Sequence, residues 1–157
     1  VSGGLAYKGL EYVTLTTDLR YFDYTSTEAF GDPAAYGADG RALGLGWKDV
    51  FSVSFGAQVE WTDRLTLRTG YTFATDLIDD STTFFNVASD LGYQHVPAFG
   101  LSYRLSSKAT LSASYQYVAR WRSSGPYVLP GLGAIPGSSV TTESDAHIAT
   151  LGVNVKY

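Results

Sequence analysis

From Phe51 to Trp61 apolar and polar residues alternate. Phe51, Val53, Phe55, Ala57, Val59 and Trp61 are apolar, and Ser52, Ser54, Gly56, Gln58 and Glu60 lie between them. A period of two sends successive side chains to opposite faces of a strand, so this run predicts a strand of about twelve residues with one greasy face. After Thr62-Asp63 a second run begins, with Leu65, Leu67, Thr69, Tyr71 and Phe73 opposing Arg64, Thr66, Arg68, Gly70 and Thr72. So short a connection predicts a hairpin.

The pattern recurs four times. Val13, Leu15, Leu19 and Tyr21 oppose Thr14, Thr16, Asp18 and Arg20. Tyr93, Phe99, Leu101, Tyr103 and Leu105 oppose Gln94, Gly100, Ser102 and Arg104. Leu111, Ala113, Tyr115, Tyr117 and Trp121 oppose Thr110, Ser112, Ser114, Gln116 and Arg120. Ala149, Leu151, Val153, Val155 and Tyr157 oppose Thr150, Gly152, Asn154 and Lys156. Six long strands are therefore predicted, and residues 1–7 read as the tail of a seventh that turns at Lys8-Gly9-Leu10. The connections alternate in length. Those near 8–11, 62–64 and 106–108 are short, whereas 25–48, 76–91 and 122–145 are long and rich in Gly, Pro, Asp and Ser. Helical periodicity is absent, with room for a short helix or plug inside 28–48.

Every greasy face falls on odd numbers. The charged residues within the strands, Asp18, Arg20, Glu60, Arg64, Arg68, Arg104, Arg120 and Lys156, are all even. Chance would arrange eight charges so about once in 2^8 trials. Asp23 and Asp145 depart from the rule at strand ends. Two architectures have such faces: a soluble sandwich and a transmembrane barrel. Three features favour the barrel. The strands are long enough for a tilted membrane span of ~9–11 residues. The connections are short at one end and long at the other. The outer-face aromatics gather near strand ends, Trp61, Tyr103 and Tyr157 at one level and Tyr21, Phe73, Tyr93 and Trp121 at the other, like two interfacial girdles. The expected setting is the bacterial outer membrane, with short turns and the C-terminus periplasmic. Leu151, Val153, Val155 and Tyr157, alternating and ending in an aromatic, read as a C-terminal insertion signal addressed to the barrel-assembly machinery.

Composition narrows the chemistry. The 157 residues carry a net charge of −4, with no basic stripe for nucleic acid. There is no Cys, which removes disulfides, thiolate metal sites and Cys nucleophiles. There is no stretch long and apolar enough for a transmembrane helix. There is also no Met, so Val1 is not a translation start. Six strands and a partial seventh cannot close, since lipid does not tolerate unpaired backbone. Either 1–7 and 41–47 complete an eight-stranded barrel, or residues 1–157 are the C-terminal segment of one larger barrel domain, the expectation adopted here.

Several ordered blocks support that expectation. Gly46-Trp47-Lys48-Asp49-Val50-Phe51, Phe55-Gly56-Ala57-Gln58, Asp63-Arg64-Leu65-Thr66-Leu67-Arg68-Thr69-Gly70-Tyr71, Phe84-Phe85-Asn86-Val87, Leu91-Gly92-Tyr93-Gln94-His95, Gly100-Leu101-Ser102-Tyr103-Arg104 and Leu111-Ser112-Ala113-Ser114-Tyr115-Gln116-Tyr117 together resemble the C-terminal half of the FadL/TodX outer-membrane transporter family. The resemblance implies a 14-stranded barrel, of which this chain would supply roughly the last six strands, with an N-terminal hatch in the lumen. It also implies passive uptake of long-chain fatty acids or other hydrophobic compounds, without a cofactor. Hatch, kinked strand and first ligand groove would all lie outside these residues.

Candidate chemistry sits on the even face. Arg20, Arg68, Arg104 and Arg120 are expected to point into the lumen, where a fatty-acid carboxylate needs a fixed cation. The plainer reading pairs them with Asp18, Glu60 or the hatch. His95 and His147, odd and near the outer rim, are expected to anchor at the interface with lipid and lipopolysaccharide rather than bind metal. Asp76, Asp79, Asp80 and Asp90 lack the spacing of a calcium loop, and no nucleophile elbow marks a hydrolase. The loop 122–145 is uncharged between Arg122 and Glu143 and carries Tyr127, Val128, Leu129, Leu132 and Ile135. It is expected either to fold over the mouth or to meet a hydrophobic ligand or protein partner. A structural barrel that scaffolds a surface assembly is the alternative to a transporter, and an enzyme is not expected.

Overall fold

In the computed structural model, which describes residues 1–89 and 92–156, the chain is one antiparallel sheet with ordered loops at one end. The strands are β1 Ser2–Leu10, β2 Val13–Phe22, β3 Val50–Glu60, β4 Leu65–Ala74, β5 His95–Arg104, β6 Ala109–Gly125, β7 Val128–Leu129, β8 Gly133–Ala134 and β9 Val140–Val155. Seven form the main sheet in the order β1-β2-β3-β4-β5-β6-β9, and β7-β8 is a small hairpin. Neighbours in sequence are neighbours in space, the up-and-down meander that short turns dictate.

Three expectations change. Residues 1–7 are not a tail but most of a full strand, which ends in a turn at Glu11-Tyr12, where Tyr12 adopts φ 64°. The partial seventh strand is therefore complete, and the chain supplies seven wall strands. The connection 122–145 is largely ladder: β6 and β9 run for 17 and 16 residues and stay paired out to Gly125↔Val140. Pro126 has no N–H to donate, so the ladder ends beside it. Regular helix appears at Thr83–Asn86, after a 3-10 turn at Asp80–Thr82, and not inside 28–48.

The sheet has its greasy side outward. Leu5, Phe55, Phe99, Leu151 and Val153 are 69, 56, 61, 80 and 67% exposed. Among the described residues only Trp47, Val50, Ala74, Ile78 and Trp121 are buried hydrophobics. Among the described residues no second sheet covers the odd face. A soluble protein does not expose so large an apolar surface, whereas a barrel wall meets lipid with it. Strands β1 to β5 hold 9–11 residues, the length of a tilted membrane span. The sandwich is thereby excluded.

The odd-even rule breaks at two bulges. On β6, Val118 pairs with Ala146 but Trp121 pairs with Ser144, so two residues oppose one and the facing shifts. Trp121 therefore turns inward and is 7% exposed, which corrects its expected place in the outer girdle. A second bulge lies between Tyr7 and Leu10 on β1. Tyr93 also leaves the girdle, because β5 begins only at His95 and Tyr93 lines a crevice with the inward-facing Val50 and Ala74.

Candidate functional site

The loops at the end of the sheet where β6 and β9 are extended share a small core. Trp47, Ile78 and Trp121 pack together, with Tyr24, Leu45 and Leu77 against them. Its buried polar groups are all partnered. Trp47 Nε1 donates to Asn86 Oδ1 at 2.7 Å, and Asn86 Nδ2 donates to the Leu45 and Thr82 carbonyls. Trp121 Nε1 donates to Asp76 at 2.8 Å, and Ser123 Oγ bonds Thr83 Oγ1 and donates to Asp80. Gly125 passes so close to the Asp80 carbonyl that a Cβ would collide with it. This cap ties the first two long loops to the extension of β6 and β9.

Asp49 clamps the first loop at both ends. Its carboxylate accepts from Tyr21 Oη at 2.6 Å, Thr25 N at 2.9 Å, Thr25 Oγ1 at 2.9 Å and Tyr24 N at 3.0 Å. These donors, the Tyr21 hydroxyl first, hold its carboxyl below the ordinary carboxylate range. Among the described residues Asp76, Asp79 and Asp80 are not gathered into one site. Asp76 and Asp80 take the bonds above, and Asp79 pairs with Lys48 Nζ at 2.6 Å. Asp90 lies outside the described residues.

The even face below the cap is polar and lined by small side chains. Arg68 reaches across three strands, its Nε to Gln58 Oε1 at 2.8 Å and its Nη1 to Ser102 Oγ at 2.7 Å. Ser102 Oγ continues to Ser112 Oγ at 2.9 Å, and Ser54 bonds Thr72 at 2.8 Å. Every partner of Arg68 is neutral, so its charge is fixed in position but not compensated. Among the described residues Arg20, Arg68 and Arg104 form no ion pair with Asp18 or Glu60. Nor do they share one site. Arg20 lies level with Ser52 and Ala74, six residues of β4 above Arg68, or about 20 Å along the strand. Arg104 is four residues beyond Gly100, the partner of Arg68, so about 13 Å further down. It lines a polar crevice with Glu60, Asp63 and Thr66 at the end of the short turns.

Arg120 is corrected. It sits on the β6 bulge and pairs with Asp145 at 3.9 Å, while Arg122 pairs with Glu143 at 3.5 Å. The residues that alternate with them, Trp121, Ser123 and Ser144, turn to the inner side. Both ion pairs therefore lie on the outer face of the extension, not in the lumen. Just below them are two matching stacks. Tyr71 Oη bonds His95 Nδ1 and Tyr115 Oη bonds His147 Nδ1, both at 2.6 Å, with Phe73 tilted against His95 and Tyr117 stacked on His147. Paired aromatic and imidazole groups at one height suit the membrane interface.

In the β7-β8 hairpin, Tyr127 packs edge-on against Phe84 at 5.7 Å. Val128 and Ile135 are half-buried, and Leu129 and Leu132 are 41 and 79% exposed. Leu151, Val153 and Val155 alternate outward on β9, and Tyr157 lies outside the described residues.

A family description, "Outer membrane protein transport protein (OMPP1/FadL/TodX)", matches residues 6–157. The chain belongs to that family. OMPP1/FadL/TodX proteins are outer-membrane transport proteins rather than enzymes. No curated protein matches the chain. Three solved structures share its fold. The P. putida toluene transporter TodX is 13% identical, with a TM-score of 0.62 over 99% of this chain and 34% of that one. The TodX deltaS2 mutant, a monoaromatic hydrocarbon channel, is 16% identical, with a TM-score of 0.66 over 99% and 35%. The deltaS2S3 mutant is 18% identical, with a TM-score of 0.59 over 96% and 34%. The chain thus spans about a third of the length of each structure it matches. The Gln58–Arg68–Ser102–Ser112 ladder was not foreseen from sequence, because it depends on register between strands. The cap was signalled only by Gly46-Trp47 and Phe84-Phe85-Asn86 among the blocks that carried the resemblance.

Proposed function

We propose that residues 1–157 form part of the wall of an outer-membrane channel that admits hydrophobic small molecules passively, long-chain fatty acids among them. The observation that carries this reading is Arg68, a cation held by neutral partners on a lumenal wall built of small residues. Gly56, Gly70, Gly100, Ser114 and Gly152 leave room around it, and three of its five N–H groups remain for a carboxylate. Members of the family supply the setting. The short turns and the C-terminus then face the periplasm, β9 addresses the barrel-assembly machinery, and the Tyr–His stacks and outer arginines meet lipid and lipopolysaccharide. Closure of the wall calls for further strands between β9 and β1.

The test uses the full-length protein that carries this chain, expressed in cells whose outer membrane is otherwise intact. Labelled oleate uptake should exceed that of cells without the protein, and Arg68→Gln should lower it while entry of a neutral hydrophobic dye is unchanged. Oleate and dye entry equal to the empty control would overturn the transport reading.

A further inference from the structure

Beyond the bulge, β6 and β9 carry a charged strip on the face that continues the lipid-facing side of the sheet. Trp121, Ser123 and Ser144 turn inward, so Arg120, Arg122, Glu143 and Asp145, which alternate with them, turn out. Arg120 stands 3.9 Å from Asp145, and Arg122 stands 3.5 Å from Glu143. Both contacts are longer than a good hydrogen bond, and the two arginine side chains are 70 and 63% exposed. Loose, exposed ion pairs hold little energy. The N–H groups of both guanidiniums are therefore open to a better acceptor.

The height of the strip points to that acceptor. Leu151 lies midway between His147 and Val155 on the apolar run of β9 and marks the middle of the membrane. Asp145 is six residues above it and Glu143 eight. At about 3.3 Å per residue and a strand tilt of about 40°, the two tiers stand about 15 and 20 Å from the middle. The hydrocarbon ends at about 15 Å and the head-group layer at about 20–22 Å. Arg120 and Arg122 thus occupy the layer that holds lipid phosphates, about 7 Å apart along one face.

The wall below suits the rest of a lipid. Tyr117 stacks on His147 at 4.9 Å, one tier beneath Arg120 and Asp145. Lower on the same odd face lies a groove of about 650 Å³ whose surface is almost wholly apolar. Its β6–β9 end is formed by Ala113, Tyr115, Ala149 and Leu151, at the membrane's middle. An acyl chain that hangs from the Arg120 tier and spans one leaflet, about 15 Å, reaches that end. Guanidinium binds phosphate through paired N–H groups. Two arginines and two carboxylates leave the strip without net charge, so a free anion in solution gains little there. A phosphate on a membrane-held lipid arrives at high effective concentration instead.

We infer that this strip is a site for one phosphorylated lipid, its phosphate between Arg120 and Arg122 and an acyl chain running down over Tyr117 and His147 to the groove. The phosphate displaces Asp145 and Glu143 from the guanidiniums. The inference deepens the uptake reading above and rests on its orientation. With the long loops outward, the lipid is the acylated, phosphorylated sugar that anchors lipopolysaccharide.

Native mass spectrometry of the full-length protein tests this, with bis-phosphorylated lipid A as the probe. One molecule should stay bound. Arg120→Gln with Arg122→Gln should weaken retention at least tenfold, and so should removal of the phosphates from the lipid. Lys108→Gln with Lys156→Gln, which removes the same charge at the short-turn end, should leave it unchanged. If the arginine variant fails to give a heat-modifiable barrel, Asp145→Asn with Glu143→Gln, which frees both guanidiniums, should tighten retention at least threefold. Retention unchanged in the arginine variant, or in its substitute, overturns the inference. So does displacement by inorganic phosphate, which makes the strip a site for any anion, or a preference for phosphatidylglycerol over lipid A. Labelled oleate uptake into cells, measured alongside, separates the two readings. Uptake without retained lipid A overturns the lipid site and leaves transport standing; retained lipid A without uptake does the reverse.

Discussion

Leucine 151 offers the sharpest test of which face meets lipid. It lies on β9, four residues from His147 on the long-loop side and four from Val155 on the short-turn side, and it is 80% exposed. Eight residues span about 26 Å along the strand, or about 20 Å across the membrane at a tilt of about 40°. An apolar band of about 25 Å therefore has its middle near Leu151. Arginine at the midplane costs about 2–4 kcal/mol. The leucine side chain it replaces loses about 1–2 kcal/mol of contact with hydrocarbon, most of the value of a fully buried leucine. Leu151→Arg should thus destabilise the barrel by about 3–6 kcal/mol. Thr150→Arg, one residue away and facing the lumen, should cost less than about 1 kcal/mol. Reversible urea unfolding of the full-length protein in lipid vesicles measures both. Equal costs at 150 and 151 would refute the membrane-facing assignment. Pairs built on Leu101 and Ser102, or Val53 and Ser54, should repeat the contrast, with smaller differences nearer the interfaces.

Other outcomes follow from the edges, the loops and the clamp. The 157 residues alone should not give a heat-modifiable, protease-resistant monomer on gels, because β1 and β9 would leave unpaired backbone in hydrocarbon. Replacing Val128, Leu129, Leu132 and Ile135 together by Ser should lower uptake or docking with folded yield unchanged; a fall in yield instead would make the hairpin a structural lid. Asp49 should make the first loop sensitive to acid. Its carboxyl titrates below the ordinary range when the clamp is formed, so the clamp is intact above that range and is lost as pH falls through the lowered value. Hydrogen-exchange protection of the Tyr24 and Thr25 amides should fall there, and Asp49→Asn should remove the pH dependence.

Much of the wall was legible because a strand writes its facing in a two-residue code. Val53 beside Ser54, or Leu101 beside Ser102, states locally which side is greasy, and short turns carry the code from strand to strand. The code fails where one of its conditions fails. Above Tyr117 the ladder leaves the hydrocarbon, and Ser123, Ser124, Thr141 and Thr142 are polar on both faces, so strand read as loop. Arg120 and Trp121 were assigned to the wrong sides because Ala119-Arg120 holds a bulge that neither residue announces. Arg68 could be placed on the polar face from parity alone. Its hold on Gln58 and Ser102 could not, since residues 58, 68 and 102 meet only through register.

The bulge at Ala119-Arg120 divides the longest hairpin into two territories with opposite grammar. Below it, odd positions of β6 belong to the bilayer; above it, odd positions belong to the protein, and Trp121 and Ser123 are spent on holding loops. One inserted residue thus lets a single pair of strands change solvent without breaking the ladder. Loops can diverge above that point without disturbing the wall below, provided the insertion stays. Any graft of a new loop onto this hairpin has to be written in the shifted frame, and a deletion of Ala119 would straighten the ladder with Trp121 still opposite Ser144 and turned inward.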